Sequence, residues 1–277
     1  MRWDERQLAM LREMGIRLWI PQDEPIQLAE GKPAPAAATV DRTPEVAALE
    51  PARSPARLGR PAVPAAQRDA GAAAAPSGDV AAMDWPALRA AVAACSACKL
   101  CSGRTQTVFG VGHERAHWMI VGEAPGEEED RRGEPFVGKA GQLLDAMLRA
   151  IGLTRADAPP ERQVYITNTL KCRPPGNRNP QPDELAQCEP FLARQIALAQ
   201  PKIIVAMGRF AVQALLRSDE PVGRLRGRVH RYAGVPLVVT YHPAYLLRNP
   251  QDKARAWDDL CLALDVAADG VAGATAE

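Results

Sequence analysis

No run of apolar residues in the 277-residue chain approaches the length of a membrane span, and the charged start Met1-Arg-Trp-Asp-Glu-Arg6 leads into no apolar stretch. A membrane partner is therefore not expected, nor is secretion, and the reading is a cytoplasmic monomer. A charge excess is missing too. The net charge is +1, so a nucleic-acid partner would have to be met by local basic clusters. Nothing suggests a nucleophile triad, since no Ser or Cys at a candidate strand end has a His and a carboxylate placed by its context. A nucleoside-triphosphate site is disfavoured by one residue. Gly133-x4-Gly138-Lys139 has the glycine spacing of a phosphate loop, but Ala140 stands where a hydroxyl would hold Mg²⁺, and no apolar strand leads into Gly133. Large apolar residues are scarce between about 26 and 83, where Ala and Pro with scattered Arg cannot offset the entropy of ordering. The chain thus divides into a short amphipathic segment, 1–25, a disordered linker, 26–83, and a folded domain, 84–277.

Within that domain the organising stretch is Trp118-Met-Ile-Val-Gly-Glu-Ala-Pro-Gly126. It reads as a buried strand emptying into a loop, followed by four acidic residues, Glu127 to Asp130, and by a lone Phe136. A helix with Leu143, Leu144, Met147, Leu148 and Ile151 on one face comes next. Val164–Asn168 and Ile203–Met207 are further strands, each followed by a helical pattern, and Pro190 should kink the first of those helices. Gly223–Tyr232 and Pro236–Thr240 form a turn-bounded strand pair. Upstream, Asp84 is placed to cap a helix running through Leu88 and Val92 into Cys95. Alternating strands and helices indicate a parallel sheet covered on both faces. The strand ends would then bring Glu123, Phe136, Asn168 and His242 to one rim, where open α/β sheets place their sites. Such a rim suits a planar polar ring: Phe136 to stack, the Asn168 amide to read a donor–acceptor edge, His242 to donate to a carbonyl. Singly, each has a plainer reading, with His242 a structural histidine and Asn168 a turn cap.

Six cysteines in a chain without a leader argue against a disulfide framework and for metal binding or catalysis. Cys95-x2-Cys98-x2-Cys101 precedes the motif strand. Cys172 lies in a Lys-Cys-Arg-Pro-Pro loop where a core residue is not expected, and Cys188 follows downstream, so the fold would have to assemble the site. The alternative for Cys172 and Cys188 is buried small apolar packing. Cys261 falls on the apolar face Trp257, Leu260, Leu264 of a C-terminal helix and reads as core.

Taken together, Gly122-Glu-Ala-Pro-Gly126, Pro135-Phe-Val-Gly-Lys-Ala-Gly141, Ile166-Thr-Asn168, Lys171-Cys-Arg-Pro-Pro175 and His242-Pro-Ala-Tyr-Leu-Leu-Arg248 resemble the family 4 uracil-DNA glycosylases, in the family's order from about Cys95 to Ala267. The resemblance implies a three-layer α/β/α sandwich around a four-stranded parallel sheet, and a 4Fe–4S cluster held at the positions matching Cys95, Cys98, Cys172 and Cys188. Cys101 competes with Cys95 as partner of Cys98, and four cysteines would equally accept Zn²⁺. It implies hydrolysis of the N-glycosidic bond of deoxyuridine flipped out of single- or double-stranded DNA. His242 matches the histidine at uracil O2, Asn168 the edge-reading amide, Phe136 the stacking ring, and Glu129 the acidic residue that crowds a 5-methyl group. Ala124 occupies the place of a water-activating Asp in other uracil-DNA glycosylases, which leaves Glu123 or Asn177 to position the water. The long insert of covalently trapping relatives is missing, which implies turnover. The same fold could instead serve hypoxanthine or xanthine, or bind uracil-DNA without cleaving it.

Two further expectations concern partners. Arg226, Arg228 and Arg248 form the local basic cluster for phosphate contact, with Tyr245, Leu246 and Leu247 as candidates to fill the gap left by a flipped base. Gln7-Leu-Ala-Met-Leu11, tethered by the linker, resembles a sliding-clamp docking peptide; its plainer reading is a helix packed on the enzyme's own surface.

Overall fold

The computed structural model describes residues 79–273 together with Glu13. The expectations for 1–25, including the docking stretch 7–11, and for most of the linker lie outside the described residues. Val80, within the expected linker, is buried against Leu88, Val92 and Phe191.

Six strands form one sheet: β1 (Val111–Gly112), β2 (Trp118–Gly122), β3 (Tyr165–Asn168), β4 (Ile203–Met207), β5 (Val229–Tyr232) and β6 (Val235–Thr240), in the spatial order β1-β3-β2-β4-β6-β5. The four-stranded parallel sheet is there as its centre, β3-β2-β4-β6, and each edge carries a short antiparallel strand. The β5–β6 hairpin was legible. Its turn, Ala233-Gly234, has positive φ at both residues (47° and 84°), the twist that two-residue hairpins favour. The two-residue β1 was not, being too short to show a period.

Eight helices complete the described fold: α1 (Trp85–Ala94), α2 (Glu127–Arg132), α3 (Lys139–Ala150), α4 (Pro182–Ala199), α5 (Arg209–Leu216), α6 (Val222–Leu225), α7 (Pro243–Arg248) and α8 (Lys253–Gly273). The central strands are buried on both faces, and their side chains alternate between two cores. Trp118, Ile120, Ile166, Val205 and Val238 meet α3 and α8 on one face. Met119, Val121, Ile204, Ala206 and Val239 meet α4 and α5 on the other. Each fully buried aliphatic side chain contributes roughly 1.5–3 kcal/mol, so these two layers are what hold the strand ends in register. Asp84 caps α1 as expected, its Oδ1 accepting from the Ala87 N–H at 2.9 Å. Pro190 is accommodated inside a single helix, α4, on its exposed side.

Register decides what the rim presents. Gly122 pairs with Asn168 and Met207 with Thr240, so β2, β3, β4 and β6 end level. The chain steps from β2 to β3 on one side and then back across to β4 on the other, which makes the carboxyl end of β2 a switch point.

Candidate active site

A cleft of about 770 Å³ opens at those strand ends, and Glu123, Ala124, Glu129, Phe136, Asn168, Asn177, Tyr241, His242, Tyr245 and Arg248 are among the residues that line it. Glycine at the end of β2 is what allows the cleft floor. A Cβ on Gly122 would lie 2.5 Å from Asn168 Oδ1 and 2.6 Å from Phe136 Cζ, so the amide and the ring both rest directly on the backbone there.

Phe136 is held in a left-handed conformation, φ 55°, that costs a non-glycine residue energy and must be imposed by its surroundings. Glu129 imposes it. One carboxylate oxygen accepts from the N–H groups of Val137 (2.9 Å) and Gly138 (3.2 Å), and the other accepts from Gly126 (3.1 Å) at the start of α2. Gly141 closes the loop from the far side, since a Cβ there would lie 1.7 Å from the Phe136 carbonyl oxygen.

Asn168 is 2% exposed, and its Oδ1 has no hydrogen-bond partner among the described residues. An unmet buried acceptor carries a desolvation cost of about 1–3 kcal/mol, which a ligand donor in the cleft would relieve. His242 caps α7, its Nδ1 accepting from the Ala244 N–H at 3.1 Å. A nitrogen that accepts carries no proton, so in the neutral ring Nε2 is the donor. Burial, aided by the Arg248 charge and opposed by Glu129, pushes the imidazole down to about 4, which keeps it neutral at physiological pH. The ring stacks on Phe136 at 5.2 Å between centroids and 27° between planes.

Glu123 sits deep in the cleft. Burial raises its carboxyl above the usual range, and Arg209 and Arg248 pull it back. Asn177 is exposed at the rim, with its Oδ1 taken by Arg173 Nε at 2.8 Å. Arg209, which follows the cleft-lining Gly208 at the end of β4, was missed by the sequence reading; its position directly after a strand end was the available signal.

The family profile described as "Uracil DNA glycosylase superfamily" matches residues 109–261, more than half of the chain. The chain belongs to the uracil DNA glycosylase superfamily. Several of its relatives are type-4 uracil-DNA glycosylases. It is 44% identical over 168 residues to the type-4 uracil-DNA glycosylase of Archaeoglobus fulgidus, spanning 58% of this chain and 81% of that protein. It is 41% identical over 188 residues to the type-4 uracil-DNA glycosylase of Pyrobaculum aerophilum, spanning 65% of this chain and 93% of that protein. The type-5 uracil-DNA glycosylase of the same organism is 34% identical over 149 residues, spanning 50% and 66%.

Two residues assigned to DNA contact in this superfamily member need correction. Leu246 is fully buried in the core formed with α3 and α8, because α7 turns that side chain inward; it is not available to fill a gap in a duplex. Leu247 next to it is 44% exposed. Arg226 is not a free cation. Its Nε donates to Asp259 Oδ2 at 3.0 Å and its Nη2 to the Arg255 carbonyl, and Asp259 is itself wholly buried. Arg228 and Arg248 are exposed. Tyr245 lies between these cases, stacked on Tyr241 at 5.0 Å with its hydroxyl donating to Asp252 Oδ2 at 2.7 Å.

Apart from the cleft, Cys95, Cys98, Cys101, Cys172 and Cys188 line one small cavity together with Arg104 and Lys171. Arg104 Nη1 donates to Cys172 Sγ at 3.1 Å, and the Lys171 N–H donates to Cys188 Sγ at 3.3 Å. Burial raises the thiols of Cys98 and Cys172 and pushes Cys188 up to about 12. Among the described residues, no three potential ligands converge on a point suited to a single metal ion. Cys261 lies apart from this cavity, partly buried against the α8 core as expected.

Proposed function

We propose that the chain is a DNA repair glycosylase that takes a flipped deoxyuridine into this cleft and hydrolyses its N-glycosidic bond, releasing uracil and leaving an abasic site. The observation that carries the reading is the partnerless Asn168 Oδ1, buried against Phe136 and across from a neutral imidazole. Uracil offers a ring face for Phe136, an N3–H for the Asn168 oxygen, an O4 for its NH₂, and an O2 for the Nε2–H of His242. As the bond breaks, the base leaves as an anion whose charge grows on O2. A preorganised neutral donor at that oxygen stabilises the transition state more than the ground state. Glu123, deeper than Asn177, is the carboxylate placed to hold water against the sugar. Glu129 cannot swing away from a 5-methyl group, because three backbone N–H groups fix it, which suits exclusion of thymine.

Among the cavity cysteines, Cys95, Cys98, Cys172 and Cys188 would hold the 4Fe–4S cluster. The donor set fits such a group: soft sulfurs gather around a cavity rather than a point, as a cube with one iron per thiolate requires, and Arg104 offsets the thiolate charge. Bound there, the cluster would crosslink the segment after α1 to the β3–α4 loop that follows Asn168 and to α4, which carries Cys188. Arg228, Arg248 and Leu247 are the exposed residues proposed to meet DNA. The deciding experiment is release of free uracil from an oligonucleotide with a single uracil, beside one with hypoxanthine. Release from the first alone is expected, and no release from either would overturn the reading.

A further inference from the structure

Lys171 is 1% exposed, an unusual burial for a lysine, and nothing in the chemistry proposed above uses it. Its ammonium donates to Thr167 Oγ1 at 2.6 Å, to the Asn168 carbonyl oxygen at 2.7 Å and to Gln195 Oε1 at 2.7 Å, so three donors meet three acceptors. The acceptors are themselves fixed. Thr167 Oγ1 lies 3.0 Å from the Phe109 carbonyl, and Gln195 Nε2 donates to that carbonyl at 2.9 Å and to Tyr165 Oη at 3.0 Å. Edge strand β1 pairs only with Tyr165 and Ile166, so the ladder on that side stops short of Asn168. The lysine supplies the donor that a longer edge strand would have supplied.

We propose that Lys171 is a positioning residue for uracil recognition, clamping the backbone of Asn168 so that its partnerless Oδ1 is held in the cleft before the base arrives. The inference rests on the glycosylase reading. The three contacts of the Lys171 ammonium tie the Asn168 carbonyl to Thr167 and Gln195, which are themselves held by Phe109 and Tyr165. Misplacing a reacting group by about 1 Å costs up to about a hundredfold in rate. The ligand contact beside it should survive a side-chain change, since it is the backbone N–H of Lys171 that reaches Cys188.

The test is a double-mutant cycle in the full chain, with single-turnover uracil excision as the rate. Lys171→Met should slow excision by roughly tenfold to a hundredfold. If Lys171 acts through Asn168, the Lys171→Met/Asn168→Ala double variant should be no more than about twofold slower than Asn168→Ala alone. Inhibition by free uracil should weaken in Lys171→Met while affinity for abasic-site DNA and iron content stay at wild-type levels. Should Lys171→Met fail to fold, Thr167→Val removes one acceptor at constant volume, and the same cycle is run with it. Losses that multiply in the double variant, or equal losses of uracil and abasic-DNA binding, would overturn the positioning role. A wild-type protein that releases no uracil would overturn the glycosylase reading instead, and that result is distinguishable from the first.

Discussion

At the scale of the residue, the cleft depends on Asn168 Oδ1, which has no partner among the described residues, and on the His242 donor, and two substitutions probe them. His242→Ala should slow single-turnover excision by at least about a hundredfold with little change in DNA affinity, because the lost donor acts mainly on the leaving anion. A rate equal to wild type would remove that role. The same histidine predicts a pH effect. Its folded-state value is about 4 against an ordinary 6.5, so between these values the unfolded chain binds more protons, and stability falls as pH drops from about 6.5 through about 4. Thermal unfolding of His242→Gln, which cannot titrate, should lack that part of the decline. Gly122→Ala is the second probe. Its new methyl would press on Asn168 Oδ1 and on the Phe136 ring at 2.5–2.7 Å, and the strand backbone beneath cannot retreat. Overpacking of this kind costs about 1–3 kcal/mol. Excision should fall more than about tenfold while the protein still folds, as circular dichroism would report; full activity would mean that the base is not read at the end of β2.

At the scale of the element, what could be read from sequence was whatever a strand end or a cap makes local. Glu123, Asn168 and His242 were legible because each follows an apolar run directly, and their convergence follows from level strand ends in a parallel sheet. Leu246 was misplaced because six residues of α7 are too few to show which face turns inward; only the packing against α3 and α8 decides it. Lys171 and Gln195 escaped notice because nothing in a local pattern tells that a lysine and a glutamine 24 positions away are buried against each other. Glu129 was assigned a role at the base, yet its three backbone contacts, made across a loop of positive φ, belong to long-range geometry. The cysteines sit on the boundary. Their spacing raised the question, and only the fold brings the α1 end, the β3–α4 loop and α4 to line one cavity. Cys172→Ser should therefore lose iron and soluble yield together, while Cys261→Ser, on α8, should keep the iron; stoichiometric zinc and no iron in anaerobically purified wild type would sink the cluster assignment.

Across the whole molecule, a net charge of +1 has to be spent unevenly for DNA to be held at one face, and the arginines divide accordingly. Arg226 belongs to the fold: its side chain is 16% exposed, and the Asp259 carboxylate it meets is wholly buried. Arg226→Ala leaves that carboxylate without its charge partner, and breaking a buried pair in this way costs about 3–5 kcal/mol. The loss should appear as a lowered melting temperature, with the salt dependence of DNA binding unchanged in whatever folded protein remains. Arg228 and Arg248 are exposed, and Arg248 lines the cleft. Each phosphate contact releases counterions and contributes about 0.9 to the slope of log affinity against log salt, so the Arg228→Ala/Arg248→Ala double variant should flatten the slope by up to about two units. Its melting temperature should match wild type, and its binding should weaken alike for uracil-containing and undamaged duplexes, since phosphates carry no sequence. A slope identical to wild type would assign both residues to solvation alone.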